Sequence, residues 1–189
     1  MKPSIIRYGA VAQLFHWVTA VLVLVAFIYG PGGPEARVYS AASDMGRRIH
    51  ETLGLCVFTL AILRLLWRAI DKQPDAEPAS PWMKAAATVV QWVLILLLLA
   101  LPMTAITGAW LEGHPLTLVA GIDVAPLFPD AKAAGAIVAS IHGWLGDIIM
   151  WVAGCHALAA LFHHFVLKDG VLESMLPHWL IPKRARSGR

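Results

Sequence analysis

Four long apolar segments, at about residues 11–28, 49–67, 85–111 and 135–167, constrain this chain more than any other feature. Each is close to or above the roughly 20 residues needed to cross a hydrocarbon core about 30 Å thick. Lipid offers no partner for backbone N–H and C=O groups, so spans of this kind close their hydrogen bonds within themselves as helices. The expected fold is therefore all-α: an integral membrane four-helix bundle. Pro102 lies near the far end of the third segment and predicts a kink there. Hydrophobic residues make up 58% of the chain and charged residues only 14%. A soluble domain carries about 25% charged residues, so composition and segment length agree. Lys2 and Arg7 precede the first apolar run, but that run is long and lacks a small-x-small cleavage site. It reads as a retained helix rather than a leader.

The connections are polar or rich in helix breakers. Pro31, Gly32, Gly33 and Pro34 open the first, and the second reads DKQPDAEPASP over residues 71–81. A single membrane domain is expected over residues 1–182, followed by a basic tail over 183–189. Orientation follows from lysine and arginine placement. Lys2, Arg7, Arg64, Arg68, Lys72, Lys84, Lys168, Lys183, Arg184, Arg186 and Arg189 fall on one side. Arg37, Arg47, Arg48 and Lys132 fall on the other. The asymmetry predicts both termini in the cytoplasm of a multi-pass protein of a bacterial inner membrane. The formal charge of +3 reflects loops that face anionic lipid and gives no reason to invoke nucleic acid. Cys56 and Cys155 both sit in apolar runs, where a disulfide is not expected.

Eight histidines in so apolar a chain point to chemistry, because ionisable groups at membrane depth are costly. His142 and His156 are 14 residues apart on the fourth segment. A helix turns about 100° and rises about 1.5 Å per residue, so they lie within about 40° of one face and roughly 21 Å apart. His50 begins the second segment at the depth of His142, and His16 lies on the first at the depth of His156. Antiparallel neighbours thus predict two pairs, His50 with His142 and His16 with His156. A lone buried histidine is more often a hydrogen-bonded core residue than a ligand. Two matched pairs at two depths favour haem iron, ligated axially by facing imidazoles. Imidazole also suits zinc or copper, but the wide spread in depth disfavours one compact metal site. No C-x-x-C-H sequence is present, so any haem is held by coordination alone. Porphyrin edges would be closer than irons about 20 Å apart.

Second-tier positions surround these pairs. Arg47 and Arg48 sit beside His50 and would pair with haem propionates, draw an anion toward that site, or mark the interface. Arg64 and Arg68 would do the same at the other end, or mark the cytoplasmic boundary. His163 lies seven residues beyond His156, about 10 Å farther along, placed for a propionate or a quinone head group, or simply to snorkel at the interface like His164. Trp17 and Trp144 adjoin expected ligands and would pack on porphyrin. Asp147, an acid deep in the fourth segment, has as readings a neutral acid, a hydrogen-bond partner or a proton relay.

LFHW in the first segment, RRIHETLGL and RLLWR in the second, and LALPMTAITG in the third carry a family resemblance. So does the long IHGWLGDIIMWVAGCHALAALFHHFVLKDGVLESMLP stretch. Together they resemble the bacterial cytochrome b561 family over residues 7–177. The resemblance implies that His16, His50, His142 and His156 are axial ligands of two b-type haems. It also implies a dihaem membrane cytochrome passing electrons between a donor and the quinone pool, with superoxide on the periplasmic side as one donor. Gly143 stands after His142, where the family often has an acid. Expected partners are membrane lipid, quinone, an electron donor, and a second copy or a redox-partner subunit. Two other readings remain: the cytochrome b subunit of a larger dehydrogenase or hydrogenase, and a haem-free anchor or small transporter.

Overall fold

The structure is a computed structural model that describes residues 7–30, 44–71 and 80–180. The basic tail at 183–189, and Lys2, Arg37 and Lys72 of the orientation argument, lie outside the described residues. Four long helices follow one another: α1 (Ala10–Tyr29), α2 (Asp44–Ile70), α3 (Pro81–Leu111) and α4 (Lys132–Phe162). All four are long and apolar enough to cross a membrane. Between α3 and α4 two short strands, β1 (Leu116–Thr117) and β2 (Asp123–Val124), pair antiparallel with Leu116 opposite Val124. This ribbon stands where the sequence predicts only a loop. Helix α4 is also not one continuous α-helix as far as residue 167. At His163–Leu167 it widens into a π-helical turn, which ends where Lys168 adopts a left-handed backbone, φ 55°. A short helix α5 (Val171–Met175) follows.

Packing runs in a chain: α1 against α2, α2 against α3, and α3 most extensively against α4. The backbone of α4 stays apart from α1 and α2, even though side chains from all three meet in the interior. Val57, Ala61, Leu97, Leu98 and Ile149 form the buried core between α2, α3 and α4. Leu14, Val21, Ile28, Leu66, Trp144 and Trp151 face outward. Helices apolar on every side, with a thin core, are what a bundle solvated by lipid requires.

Small residues allow the close contact of α3 with α4. A Cβ on Gly108 would lie 3.2 Å from the backbone nitrogen of Ala139. One on Gly135 would lie 2.6 Å from Glu112 Cγ and 2.9 Å from the Glu112 nitrogen. At the opposite end of the bundle α5 folds back onto α1. The Ser174 carbonyl accepts the Tyr8 N–H and the Gln13 side-chain amide, and the Met175 carbonyl accepts the Trp17 indole N–H at 2.9 Å.

Replacing Gly135 with Val forces α3 and α4 apart. The expected cost is about 1–3 kcal/mol, read as earlier thermal unfolding of the purified protein in detergent; an unchanged transition would contradict this packing.

Candidate functional site: two histidine layers

The four histidines expected to pair by depth are brought together across the space between α4 and the α1–α2 pair. The His50 and His142 rings have centroids 6.0 Å apart with planes at 86°, forming a first layer. The His16 and His156 rings are 6.3 Å apart at 69°, forming a second. The layers are separated by 14 residues of α4, roughly 21 Å.

The first layer is held by backbone. His50 Nδ1 lies 2.7 Å from the Ala26 carbonyl, and His142 Nδ1 lies 2.9 Å from the Leu101 carbonyl. A carbonyl only accepts, so each Nδ1 carries the proton and each Nε2 keeps a free lone pair. Leu101 immediately precedes Pro102, which has no N–H to give to the Leu98 carbonyl one turn earlier. Helix α3 continues through Pro102 to Leu111. The Thr104 hydroxyl also donates to the Leu101 carbonyl, at 2.9 Å, and stands 3.4 Å from His142 Nδ1.

This geometry fits haem b. Metal–imidazole bonds of about 2 Å, plus about 1.2 Å from nitrogen to ring centre, put the centroids of a two-sided site about 6.3 Å apart. Both pairs are near that separation. The cavity beside the first layer is lined by Val23, Ala26, Leu98, Ile106, Leu116 and Met150, among others, so its wall is apolar. Gly54 and Gly146 each lie four residues beyond a first-layer histidine and line the same cavity, and a Cβ on either would meet nothing within 4 Å. Such a smooth, roomy wall suits a flat apolar macrocycle. Among the described residues no three His, Cys, Asp or Glu side chains converge as a compact metal site.

The ribbon closes over the first layer. Glu51 Oε2 accepts the Thr117 backbone N–H at 2.5 Å, and Thr52 Oγ1 accepts the Val119 N–H at 3.0 Å. Arg47, only 7% exposed, donates to the Thr117 hydroxyl and pairs with Glu51 at 2.9 Å and with Asp44 at 2.5 Å. Arg48 pairs with the same Asp44 at 2.7 Å. The two arginines therefore face acids of their own helix, and Arg47 acts as a latch for the ribbon. Sequence reasoning missed Thr117 and the ribbon, since two-residue strands leave no alternating pattern, and it read Glu51 as an interfacial acid where the structure makes it the ribbon's acceptor. Gly54 and Gly146 were also missed, although each repeats the interval His, x, x, x, Gly.

Around the second layer the surroundings differ. The Trp17 ring meets the His16 ring edge-on at 5.2 Å, whereas Trp144 is 72% exposed on the outer face. The Thr19 hydroxyl is buried and has no hydrogen-bond partner among the described residues, one turn from His16. By contrast, Thr52, Thr59, Thr88 and Thr104 donate to carbonyls four residues earlier. His163 Nδ1 meets Asp169 at 2.5 Å, and His164 lies 3.8 Å from Glu173. Asp147 is on the exposed face of α4, turned from both layers. Cys56 and Cys155 are both free thiols.

A membrane bundle with paired interior imidazoles is the architecture of a b-type cytochrome. The profile of the prokaryotic cytochrome b561 family matches residues 7–178. The chain is 29% identical over 171 residues to cytochrome b561 homolog 2 of Escherichia coli, covering 90% of this chain and 91% of that protein. It is 30% identical over 178 residues to a protein of Yersinia pestis named "Probable superoxide oxidase", covering 90% and 96%. It is 32% identical over 175 residues to cytochrome b562 of Cereibacter sphaeroides, covering 89% and 94%. The chain belongs to the prokaryotic cytochrome b561 family and is a multi-pass bacterial membrane protein of electron transfer, with haem b as the family's cofactor.

Arg47→Met leaves Glu51 without its cation and removes the guanidinium's contact with Thr117, releasing the ribbon. Breaking a buried pair on one side costs about 3–5 kcal/mol. The expected readout is faster proteolytic cleavage within residues 112–131 and a lower melting temperature; wild-type resistance would show that the latch contributes nothing.

Proposed function

We propose that the chain holds two haem b groups, one between His50 and His142 and one between His16 and His156, and carries electrons from one layer to the other. The observation that carries this reading is the separation of both imidazole pairs, 6.0 and 6.3 Å, each matching ligation from two sides. Haem b would supply reversible one-electron exchange, held at one layer by His50 and His142 and at the other by His16 and His156. The residues supply the rest. The Ala26 and Leu101 carbonyls orient the first-layer imidazoles. The latched ribbon, through Leu116, excludes water from that cavity.

The charge asymmetry of the sequence supports an inner-membrane orientation with the first layer toward the periplasm and the termini in the cytoplasm. We take a quinone as the acceptor at the second-layer end. There Asp169 holds His163 Nδ1 and leaves Nε2 to meet a head group. The name of the Yersinia relative supports superoxide as donor. Two superoxide ions would give two O2, while two electrons and two protons convert one quinone to quinol. Arg47 and Arg48 add nothing to that choice, because their charge is already met by Asp44 and Glu51.

Dithionite-reduced protein is expected to show the sharp band of low-spin haem b, and pyridine haemochrome assay to give two haems per chain. His142→Ala should halve that content. One haem per chain, or full content in the variant, would refute the two-layer assignment.

Superoxide is expected to reduce the bound haem, and a short-chain quinone to reoxidise it, about tenfold more slowly in His163→Ala at equal haem content. Reduction by dithionite but not by superoxide would eliminate this donor; an unchanged reoxidation rate would eliminate the His163 site.

A further inference from the structure

We propose that Arg64 sets the second layer at a higher reduction potential than the first, so that electrons entering at His50/His142 run downhill to His16/His156. This rests on the two-haem reading and adds a direction to it.

Arg64 lies 14 residues after His50 on α2, the interval that separates His142 from His156 on α4. It therefore shares the face of His50 to within about 40° and sits roughly 21 Å farther along, at second-layer depth. Position 64 on α2 is the counterpart of position 156 on α4, filled by a guanidinium instead of an imidazole. The guanidinium is half-buried and within electrostatic reach of both His16 and His156. Among the described residues no carboxylate pairs with it. Of the described acids at that end, Asp169 and Glu173 face His163 and His164, and Asp71 accepts the Trp67 indole N–H. Arg68, one turn on, lies over the Trp92 ring at 5.1 Å.

The first layer is the reverse case. Its two cations, Arg47 and Arg48, are balanced by two anions, Asp44 and Glu51. Its imidazoles also give their Nδ1 protons to backbone carbonyls, which raises their basicity as ligands. A more basic ligand stabilises oxidised iron. No such carbonyl bond holds His16 or His156 among the described residues. An uncompensated cation in a low-dielectric interior stabilises an added electron. Both differences act in the same direction.

The test is a spectroscopic redox titration of the purified dihaem protein. His16→Ala and His142→Ala identify the components by which one disappears. The wild type is expected to show the second-layer component at the higher potential. Arg64→Gln should lower that component alone, so that at fixed ambient potential its reduced-to-oxidised ratio falls at least tenfold, equivalent to about 59 mV. Arg64→Lys, which keeps the charge, should preserve most of the difference. Should Arg64→Gln lose haem, Glu51→Gln decides: removing a first-layer anion is expected to raise the first-layer component alone. The proposal is overturned if the second-layer component is the lower one in the wild type. It is equally overturned if Arg64→Gln binds both haems and moves neither component, or if the deciding Glu51→Gln titration leaves the first-layer component in place. A chain that never binds two haems overturns the function reading itself, which haemochrome stoichiometry reports separately.

Discussion

The facing of imidazoles across a gap in the bundle organises this molecule. Helix α4 packs closely on α3 through Gly108, Ala139 and Gly135, yet its backbone stays apart from α1 and α2. A bundle of apolar helices in lipid gains nothing from an internal gap, because packing contacts are its main source of cohesion. The gap is spanned at two depths by histidine pairs and walled by residues as small as Gly54 and Gly146. The rest can be understood as support. The carbonyls of Ala26 and Leu101 fix two rings, and the ribbon roofs the first layer.

Much of this was legible in the sequence, because the bilayer imposes strong rules. Apolar length marks the four spans, with helix ends that differ from the expected ones by a few residues where polar turns such as Asp44–Arg48 extend them. The histidine levels follow from helix rise and alternating direction alone, and those rings do meet. Features that depend on side-chain choice among equally polar partners were not legible. Arg47 was read as a propionate partner, an attractor of an anion or an interfacial arginine, and its spacing to Asp44 and Glu51 was the one clue that it stays on its own helix. The π-helical turn at His163 left no signal in the apolar pattern of the fourth segment. Trp144 lies two residues past His142 in sequence, and the turn of about 200° between them puts it on the outside.

The two layers are alike in ring spacing and unlike in surroundings. The first is roofed, charge-balanced and anchored to backbone. The second lacks those anchors and faces an arginine at the depth where α2 and α4 repeat the same 14-residue interval. Similar ligands in different electrostatic settings are how one helical scaffold can hold two electron sites at different potentials.

Electron paramagnetic resonance of the oxidised protein tests the central claim most directly, because it reports both the axial ligands and the angle between their planes. Rings crossed at 86° and 69° predict two low-spin ferric signals of large anisotropy, each abolished by changing one histidine of its own pair. A high-spin signal, a single low-spin species, or signals indifferent to those histidines would mean that the paired imidazoles do not hold iron.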